Sequence, residues 1–447
     1  MTVEILTAAA SEDLQRRVAG SLAARGIGAG ERVAFLTAGS GAMLSAVLGA
    51  LRVGIVPVPL NPALLSEERE LILGDCDPSL IVDEAVLAAL VTGPPTELAP
   101  VPLARPMHYT SGTTGRPKGV WSGVLGEADA RLLAGEEAEL WGFAADDVHL
   151  VCSPMHHSAP IRFGGGTLLA GGSLVILGKF DAARAARAIA EHRPTSAFMV
   201  PAHLQRLFAL GDRALTDGGG LPDLRSFRLL AHAGAPCPPP LKRAAIEAFP
   251  DGSVWEFYGS TEGQFTACPS ADWEAHPGTV GRARPHRRLT VGDDSVVWCE
   301  APPYARFAYW RDPVRTSTVW RGDAFSVGDL GRLDDDGFLY LEGRRDDLVI
   351  TGGVNVYPAE VEQVLVEVAG VREIAVFGVD DERWGQRVCA AVVGDVTAAR
   401  VIEHARAHLA AYKCPKDVYV VDELPHTSTG KLQRLALAPM LGLDQRR

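Results

Sequence analysis

The sequence has 447 residues, of which 47% are hydrophobic and 22% charged, a balance typical of a globular chain with two or three domains. Its net charge of −12 argues against a nucleic-acid partner. The 7 cysteines never occur in CxxC spacing, which favours reduced thiols in a cytoplasmic protein over a disulfide framework or a metal centre.

Strands and helices alternate from the N-terminus, which predicts a βαβ architecture with parallel strands. Ser11 is the expected N-cap of the first helix, which ends near Gly26 and places Leu14, Val18 and Leu22 on one face. The following elements are predicted as a strand over 31–38, a helix over 42–51, a strand over 54–60, a helix over 66–73, a strand over 79–83, and a loop or short hairpin over 85–105. Glycine, proline and Arg52 interrupt the apolar run 42–60, and the N-terminus has no apolar signal segment, so we expect no membrane span and no leader.

A second alternating run predicts strands over 148–153, 173–177, 196–200, 228–231 and 253–257, with helices over 181–192, 202–210 and 240–249. Beyond Gly278, short strands such as 325–330 and 337–341 are typical of a barrel-like β unit. A helix over 359–368, strands over 373–379 and 387–393, and a helix over 397–411 then predict a small α+β unit. We predict a large α/β N-terminal domain, 1–345, with two doubly wound βα halves plus a small β-barrel-like unit, and a smaller mobile α+β C-terminal domain, 346–447.

One segment concentrates phosphate-binding residue types: Tyr109-Thr110-Ser111-Gly112-Thr113-Thr114-Gly115-Arg116-Pro117-Lys118-Gly119-Val120. Glycines let backbone N–H groups approach a ligand, and hydroxyls and cations add hydrogen bonds and charge. The spacing is not that of a P-loop. Such a composition is also typical of surface linkers, but the apolar flanks and the interleaved Arg116 and Lys118 argue against one.

Each of the other motifs, taken alone, is only weak evidence of a functional site. Phe257-Tyr258-Gly259-Ser260-Thr261-Glu262 offers a stacking ring, a hydroxyl and a carboxylate, or an ordinary turn after a strand. Asp329 lies between glycines, where aspartate usually forms turns. The remaining candidates are the loop Ala233-Gly234-Ala235-Pro236, the glycine loop 351–358, and the polar loop 425–431 that ends on Lys431.

In this order, these segments resemble the motifs of the adenylate-forming superfamily, which holds acyl-CoA synthetases, nonribosomal-peptide adenylation domains and luciferases. The resemblance implies ATP, Mg²⁺ and CoA as cofactors and substrates. It assigns phosphate contacts to Thr110, Ser111, Gly112, Thr113, Thr114, Lys118 and Thr261. It assigns adenine or ribose contacts to Gly234, Ala235, Pro236, Tyr258, Gly259, Asp329 and Arg344.

The resemblance also implies catalytic and conformational roles. Glu262 would help to bind Mg²⁺, and Lys431 would contact the substrate carboxylate and α-phosphate while the adenylate forms. Gly352 and Gly353 would line the CoA tunnel, and Asp346 would be the hinge. The charged run around Asp346 is otherwise typical of a solvated loop.

For the acyl pocket, the segment 153–160 resembles the loop in which a histidine gates the substrate carboxylate. We assign His157 to that role with His156 as the alternative, and a packing or surface histidine stays open. The spans 161–167 and 199–201 are predicted as an apolar or small wall without a carboxylate, which disfavours an amino-acid substrate. The predicted pocket residues are His156, His157, Gly164, Gly165, Val200 and Gln264, with the glycines 164–166 leaving room for a bulky acid.

Three functions remain open. The first is an acyl-CoA ligase that activates a hydrophobic carboxylic acid with MgATP through acyl-AMP and transfers the acyl group to CoA. The second is an enzyme of one half-reaction, which adenylates for a separate carrier protein or uses a supplied acyl-AMP. The third, a non-catalytic binding protein, conflicts with the presence of Lys118, Glu262, Asp329, Arg344 and Lys431. We expect small-molecule partners, with a homodimer left open.

Overall fold

The computed structural model describes residues 3–110, 118–217, 221–344, 347–351, 354–381, 383–427 and 432–443. By its contacts the chain divides into two compact units. The first comprises 1–277, 281–288 and 300–325, and the second comprises 278–280, 289–299 and 326–447. The domain boundary predicted between residues 345 and 346 stays a prediction, since both residues lie outside the described ranges.

The elements up to residue 192 are β1 (Glu4–Thr7), α1 (Ala8–Ala24), β2 (Arg32–Phe35), α2 (Gly41–Arg52), β3 (Val56–Pro59), α3 (Ser66–Cys76), β4 (Leu80–Val82), α4 (Glu84–Leu90), β5 (His108–Thr110), β6 (Lys118–Trp121), α5 (Glu127–Trp141), β7 (Val148–Val151), α6 (Ser158–Leu169), β8 (Ser173–Ile176) and α7 (Ala182–His192). They are followed by β9 (Ser196–Met199), α8 (Pro201–Asp217), β10 (Leu229–His232), α9 (Pro239–Ala248), β11 (Val254–Glu256), β12 (Thr266–Pro269), α10 (Ser270–Ala275), β13 (Arg282–Ala283), β14 (Arg288–Val291), β15 (Val297–Glu300), β16 (Ala308–Tyr309), α11 (Pro313–Val319), β17 (Trp320–Arg321) and β18 (Ala324–Phe325).

The last elements are β19 (Asp329–Leu333), β20 (Leu339–Arg344), β21 (Val349–Thr351), β22 (Val354–Val356), α12 (Pro358–Leu365), β23 (Val371–Asp381), β24 (Gly385–Gly394), α13 (Ala398–His408), β25 (Asp417–Val420) and α14 (Leu437–Met440), with short 3-10 turns at Pro303–Ala305 and Arg434–Ala436. The predicted alternation of strands and helices is confirmed, and the fold is mixed α/β with a smaller C-terminal domain.

Three of the described sheets lie entirely within the first unit. The largest has 8 strands in the order β1-β8-β7-β9-β10-β11-β12-β13. Its strands β8, β7, β9, β10 and β11 are parallel, whereas β1, β12 and β13 pair antiparallel at the edges. A second, parallel sheet has the order β3-β2-β4, and a third, antiparallel one has the order β16-β6-β5.

Among the described residues of the first unit, two of the hydrophobic cores hold the helices on the sheets. Helices α1, α2 and α6 pack together over the β3-β2-β4 sheet, with Val18, Leu44 and Phe35 fully buried. Helices α7, α8 and α9 cover the large sheet around a second core that includes Ile189 and Leu204. The parallel strands are apolar on both faces because helices or neighbouring layers cover them on both sides.

Two local predictions were wrong. Helix α1 begins at Ala8 because the Thr7 hydroxyl, not that of Ser11, accepts the hydrogen bond from the backbone N–H of Ala10 at 3.3 Å. Ser11 is buried and hydrogen-bonds to Ser45 at 2.9 Å instead. Part of the loop predicted over 85–105 is the helix α4, capped by the Asp83 carboxylate.

In the second unit, α12 and α13 pack on the long hairpin β23–β24, and β21 and β25 both pair with β24 at the edge opposite β23. Strands β19 and β20 form a separate antiparallel pair. The predicted α+β character of this part of the chain is confirmed.

Candidate active site

Strands β5 and β6 form an antiparallel hairpin that brackets the glycine-rich segment. Thr110 at the end of β5 lies opposite Lys118 at the start of β6, so the two ends of the segment are held together. The Thr110 hydroxyl is buried and has no hydrogen-bond partner among the described residues, as expected of a group that a ligand completes. The predicted phosphate contacts between these ends lie outside the described ranges: Ser111, Gly112, Thr113 and Thr114.

Lys118 belongs to a buried ionic cluster with Glu262 and Tyr309. Its Nζ atom lies 3.0 Å from Glu262 Oε1 and donates to the Tyr309 hydroxyl at 2.9 Å. That hydroxyl donates to the same carboxylate oxygen at 2.9 Å. Tyr309 reaches the cluster because β16 pairs with β6, where it lies opposite Val120. The structure therefore joins two predicted residues and adds Tyr309, which sequence reasoning missed because it lies 191 residues from Lys118.

Glu262 is ionised in this cluster. Its side chain is only 5% exposed, and burial by itself would raise the pKa of the carboxyl. The charge of Lys118, together with hydrogen bonds from Lys118 and Ser260, outweighs burial and lowers the pKa of Glu262. Burial and the Glu262 carboxylate raise the pKa of Tyr309, so its phenol keeps the proton that it donates.

An ionised carboxylate is a hard oxygen ligand of the kind that Mg²⁺ prefers. In nucleotide sites Mg²⁺ is usually held by one or two carboxylates together with the substrate phosphates. Glu262 fits this pattern and is the residue that would hold the ion, whose charge would offset that of the phosphates. Within the described ranges, no group of three or more His, Cys, Asp or Glu side chains is placed to hold a metal by itself.

The carboxyl ends of β9, β10 and β11 gather further predicted residues. Gly234 follows β10 with a φ of 93°, which favours glycine, and a Cβ atom there would lie 3.4 Å from Val200 Cγ1. Tyr258 follows β11, and its ring centroid lies 4.8 Å from that of Phe265. Ligands of open α/β sheets bind at this edge. The neighbouring predicted residues on the same loops are Ala235, Pro236, Gly259 and Thr261.

A tight turn after Tyr258 holds Glu262 in place. The backbone N–H of Ser260 donates to the Gly263 carbonyl at 2.8 Å, and Gly259 pairs with Gln264. Gln264 donates from Nε2 to the Ser260 carbonyl at 3.3 Å, and a Cβ atom at Gly259 would lie 2.8 Å from Gln264 Oε1. Gln264, predicted in the acyl pocket, therefore packs directly on the turn that is predicted to bind the nucleotide.

Three histidines, one of them in β5, lie together. Nδ1 of His108 is 3.1 Å from the His156 carbonyl oxygen, and the rings of His156 and His157 are 4.2 Å apart. Burial lowers the pKa of His108 and His156 to about 4 and that of His157 to about 3, so all three rings are neutral at neutral pH. Each Nε2 is buried without a hydrogen-bond partner in the described part of the chain. His108 joins the two predicted histidines through strand β5, a contact that no sequence pattern signals.

The space predicted beside the glycines of α6 is filled by other side chains. A Cβ atom would lie 3.0 Å from Leu44 Cδ2 at Gly164, 2.9 Å from Leu48 Cδ2 at Gly165, and 2.3 Å from a ring carbon of Phe143 at Gly166. The glycines thus let α6 pack closely on α2 and Phe143. The inference that they leave room for a bulky acid is wrong. The span 161–167 is also not uniformly apolar or small, because it contains the charged, largely buried Arg162.

The predicted ribose and C-terminal residues belong to the second unit or lie outside the described ranges. Asp329 is 6% exposed and opens β19 opposite Arg344 of β20, whose side chain the structure does not describe. Strands β21 and β22 flank the predicted tunnel glycines through the pair Thr351 and Val354. The residues outside the described ranges are Asp346, Gly352, Gly353 and Lys431.

Among the helices that the structure describes, none is both long and apolar enough to cross a lipid bilayer.

Comparison with known proteins gives the family of the chain. Residues 2–297 match the AMP-binding enzyme family, and residues 360–431 match the AMP-binding enzyme C-terminal domain. Indoleacetate–CoA ligase of Aromatoleum aromaticum is 32% identical over 94% of this chain and 90% of its own. Long-chain-fatty-acid–CoA ligase FadD13 of Mycobacterium tuberculosis is 31% identical over 97% of this chain and 92% of its own.

A solved structure agrees with these relatives. ATP-bound MatB from Rhodopseudomonas palustris superposes with a TM-score of 0.83 at 30% identity, covering 97% of this chain and 93% of that one. The predicted resemblance is confirmed along almost the whole chain: it belongs to the AMP-binding enzyme family of the adenylate-forming superfamily, in which these two curated relatives are CoA ligases.

Proposed function

We propose that the chain is an AMP-forming acyl-CoA ligase. It activates a carboxylic acid with an apolar body using MgATP, passes through an acyl-AMP intermediate, and transfers the acyl group to the thiol of CoA. The observation that carries the proposal is the buried cluster in which Lys118, Tyr309 and the ionised Glu262 meet at the end of the glycine-rich hairpin. The names of the curated relatives support CoA as the acceptor.

The described residues offer groups suited to the first half-reaction, in which the acid and ATP form acyl-AMP. Lys118 supplies a cation beside the phosphate-binding segment, and Glu262 supplies the carboxylate for Mg²⁺. Neutral His156 and His157 offer ring nitrogens that can hydrogen-bond the reacting carboxylate without adding charge to the pocket. Gly234 and Tyr258 would form the wall that receives the nucleotide, and Val200, next to Gly234, would belong to the acyl pocket.

Three further residues, carried over from the family motifs, divide between the two half-reactions. Lys431 would stabilise charge only while the adenylate forms. Gly353 would leave the CoA tunnel open, and Asp346 would let the C-terminal domain turn between the two steps. We place the enzyme in the cytoplasm, because all seven cysteines have free thiols.

The test is a screen of aliphatic, aromatic and terpenoid acids for pyrophosphate release and thioester formation, with and without CoA. We expect at least one acid to give both products. In Lys431→Ala, adenylation should fall by about 10²–10³-fold, whereas thioester formation from synthetic acyl-AMP persists. Gly353→Leu should have the opposite effect to Lys431→Ala. A branched side chain there would fill the CoA tunnel, so only the transfer to CoA would slow and adenylation would persist.

Two outcomes contradict the proposal in different ways. Wild-type enzyme that uses supplied acyl-AMP but makes none from ATP would be an enzyme of one half-reaction. Adenylation without transfer to CoA, rescued by a carrier protein, would replace CoA as the acceptor.

A further inference from the structure

Arg162 lies in the predicted acyl-pocket wall, one turn into α6. Its guanidinium carbon is 4.8 Å from the ring centroid of Phe257 and 5.3 Å from that of Phe163. Phe257 directly precedes Tyr258, and the N-cap of α6 is His157. The guanidinium therefore lies between α6, which follows the predicted carboxylate-binding residue His157, and the segment that leads into Tyr258 of the predicted nucleotide wall.

Two hydrogen-bond donors on one edge of the Arg162 guanidinium lack partners among the described residues. Nε and Nη2 are both buried, and neither has a hydrogen-bond partner within the residues that the structure describes. These two nitrogens form the parallel fork that binds both oxygens of a carboxylate. Elsewhere in the chain the same fork is filled: Arg225 donates from Nε and Nη2 to Asp223 at 2.9 and 2.8 Å, and Arg228 donates from both nitrogens to Asp147.

The nearest carboxylate, Glu137, is already satisfied by other groups. It accepts hydrogen bonds from Arg284 at 2.7 Å and from the Trp141 indole at 2.9 Å. Arg162 Nε lies 3.7 Å from Glu137 Oε2, within ion-pair range but too far for a hydrogen bond. The adjacent Glu136 binds Arg287 and the Tyr304 hydroxyl.

Two buried arginines thus share one carboxylate, which leaves a surplus positive charge beside the predicted pocket. The side chain of Arg162 is 15% exposed and that of Arg284 only 3%. Burial lowers the pKa of Arg162 to about 10, and Glu137 offsets this only in part, so the guanidinium stays charged at neutral pH. A buried charge without a full set of partners is costly, and a bound anion removes that cost.

We propose that Arg162 binds a second carboxylate of the acid substrate, so that the substrates are dicarboxylic acids with an apolar body between the two carboxylates. This proposal rests on the acyl-CoA ligase function proposed above. One carboxylate would react near His157, and the other would enter the open fork of Arg162. Positions 157 and 162 are five residues apart, which corresponds to a rise of about 7.5 Å along a helix and sets the scale of the spacer. Phe163 and Phe257 are themselves buried in the core beside the guanidinium, so they hold Arg162 in place and do not line the spacer.

The experiment compares matched acid pairs. Each α,ω-aliphatic or aryl dicarboxylic acid is tested beside the monocarboxylic acid in which a methyl group replaces the second carboxylate. The readout is kcat/KM for thioester formation in wild type, Arg162→Met, Arg162→Lys and the surface control Arg225→Met. We expect wild type to prefer at least one diacid over its partner by about 100-fold or more, because two charge-assisted hydrogen bonds are lost with the methyl group.

The variants separate binding from folding. Arg162→Met should lose the diacid preference mainly through KM while retaining or raising turnover of the monoacid, which also shows that the variant folds. Arg162→Lys should keep a smaller preference, since it retains the charge without the fork. Arg225→Met should behave as wild type.

Several outcomes would overturn the proposal. A wild-type preference for the monoacid in every pair would mean that water, not a substrate carboxylate, binds the Arg162 fork. An equal fall in kcat/KM for both acids in Arg162→Met would mean that the residue has a structural role only. Calorimetric binding of the diacids to wild type and Arg162→Met runs in parallel. If no acid releases pyrophosphate, the proposed ligase function is wrong. The recognition site is still supported if wild type binds a diacid and Arg162→Met does not. It is rejected if wild type and Arg162→Met bind the diacids equally well.

Discussion

Replacing Tyr309 by phenylalanine removes one hydroxyl from the centre of the Lys118–Glu262 cluster. That hydroxyl accepts from Lys118 and donates to Glu262, both at 2.9 Å, and both partners are charged. A hydrogen bond to a charged group contributes about 1.5–3 kcal/mol. Lys118 and Glu262 stay paired at 3.0 Å without the hydroxyl, so we take the loss of one such bond as the net effect.

If the cluster is part of the adenylating site, this loss should appear in the first half-reaction. We expect acid-dependent ATP–pyrophosphate exchange in Tyr309→Phe to fall by about 10- to 150-fold, the rate equivalent of that energy. Tyr304→Phe is the matched control, because Tyr304 also donates to a buried carboxylate, that of Glu136. It should lower thermal stability to a similar extent and leave the exchange rate unchanged.

Two results would contradict this expectation. Exchange in Tyr309→Phe within twofold of wild type would show that the hydroxyl is not part of the working site. An equal fall in both variants would show that the effect is one of stability, and unfolding curves of the two variants would confirm that.

Three further predictions concern stability. Burial lowers the pKa of His149 to about 4, and a histidine in the unfolded chain titrates near 6.5. The neutral ring therefore stabilises the fold fully above pH about 6.5, and this contribution is lost as the pH falls toward about 4. Between pH 7.5 and 5.5, the free energy of unfolding in urea should fall by about 1 kcal/mol less in His149→Gln than in wild type. An equal fall in both proteins would show that His149 is not the group that titrates. Gly166→Ala should destabilise by about 1–3 kcal/mol, because the added carbon would lie 2.3 Å from the Phe143 ring. Gly135→Ala in α5, where a Cβ atom meets nothing within 4 Å, should stabilise by about 0.5–1 kcal/mol, so a cost at both positions would refute the packing account. Lys242→Met should cost about 3–5 kcal/mol in urea unfolding, because it strands Glu256, 2.6 Å away in the buried interior. Lys242→Met with Glu256→Leu should recover most of that loss, and a double variant as unstable as the single one would contradict the ion-pair account.

The sequence by itself determined the order and type of most elements, the α/β class and the family. These properties depend on short-range information: the alternation of strands and helices, the turn residues between them, and motifs whose members, such as Tyr258 and Glu262, lie close together in the sequence. Errors at this level were also local. Ser11 and Thr7 both suit an N-cap, and only the partner of each hydroxyl decides between them.

Tertiary structure alone decided which distant side chains meet. Tyr309 enters the site through the pairing of β16 with β6, and His108 meets His156 through strand β5. The glycines of α6 suggested open space in the sequence, but packing against α2 fills it. Arg162 was passed over within an apolar span because a sequence does not show which donors stay unmet. Burial and hydrogen-bond satisfaction are properties of surroundings drawn from the whole chain, so no local pattern contains them.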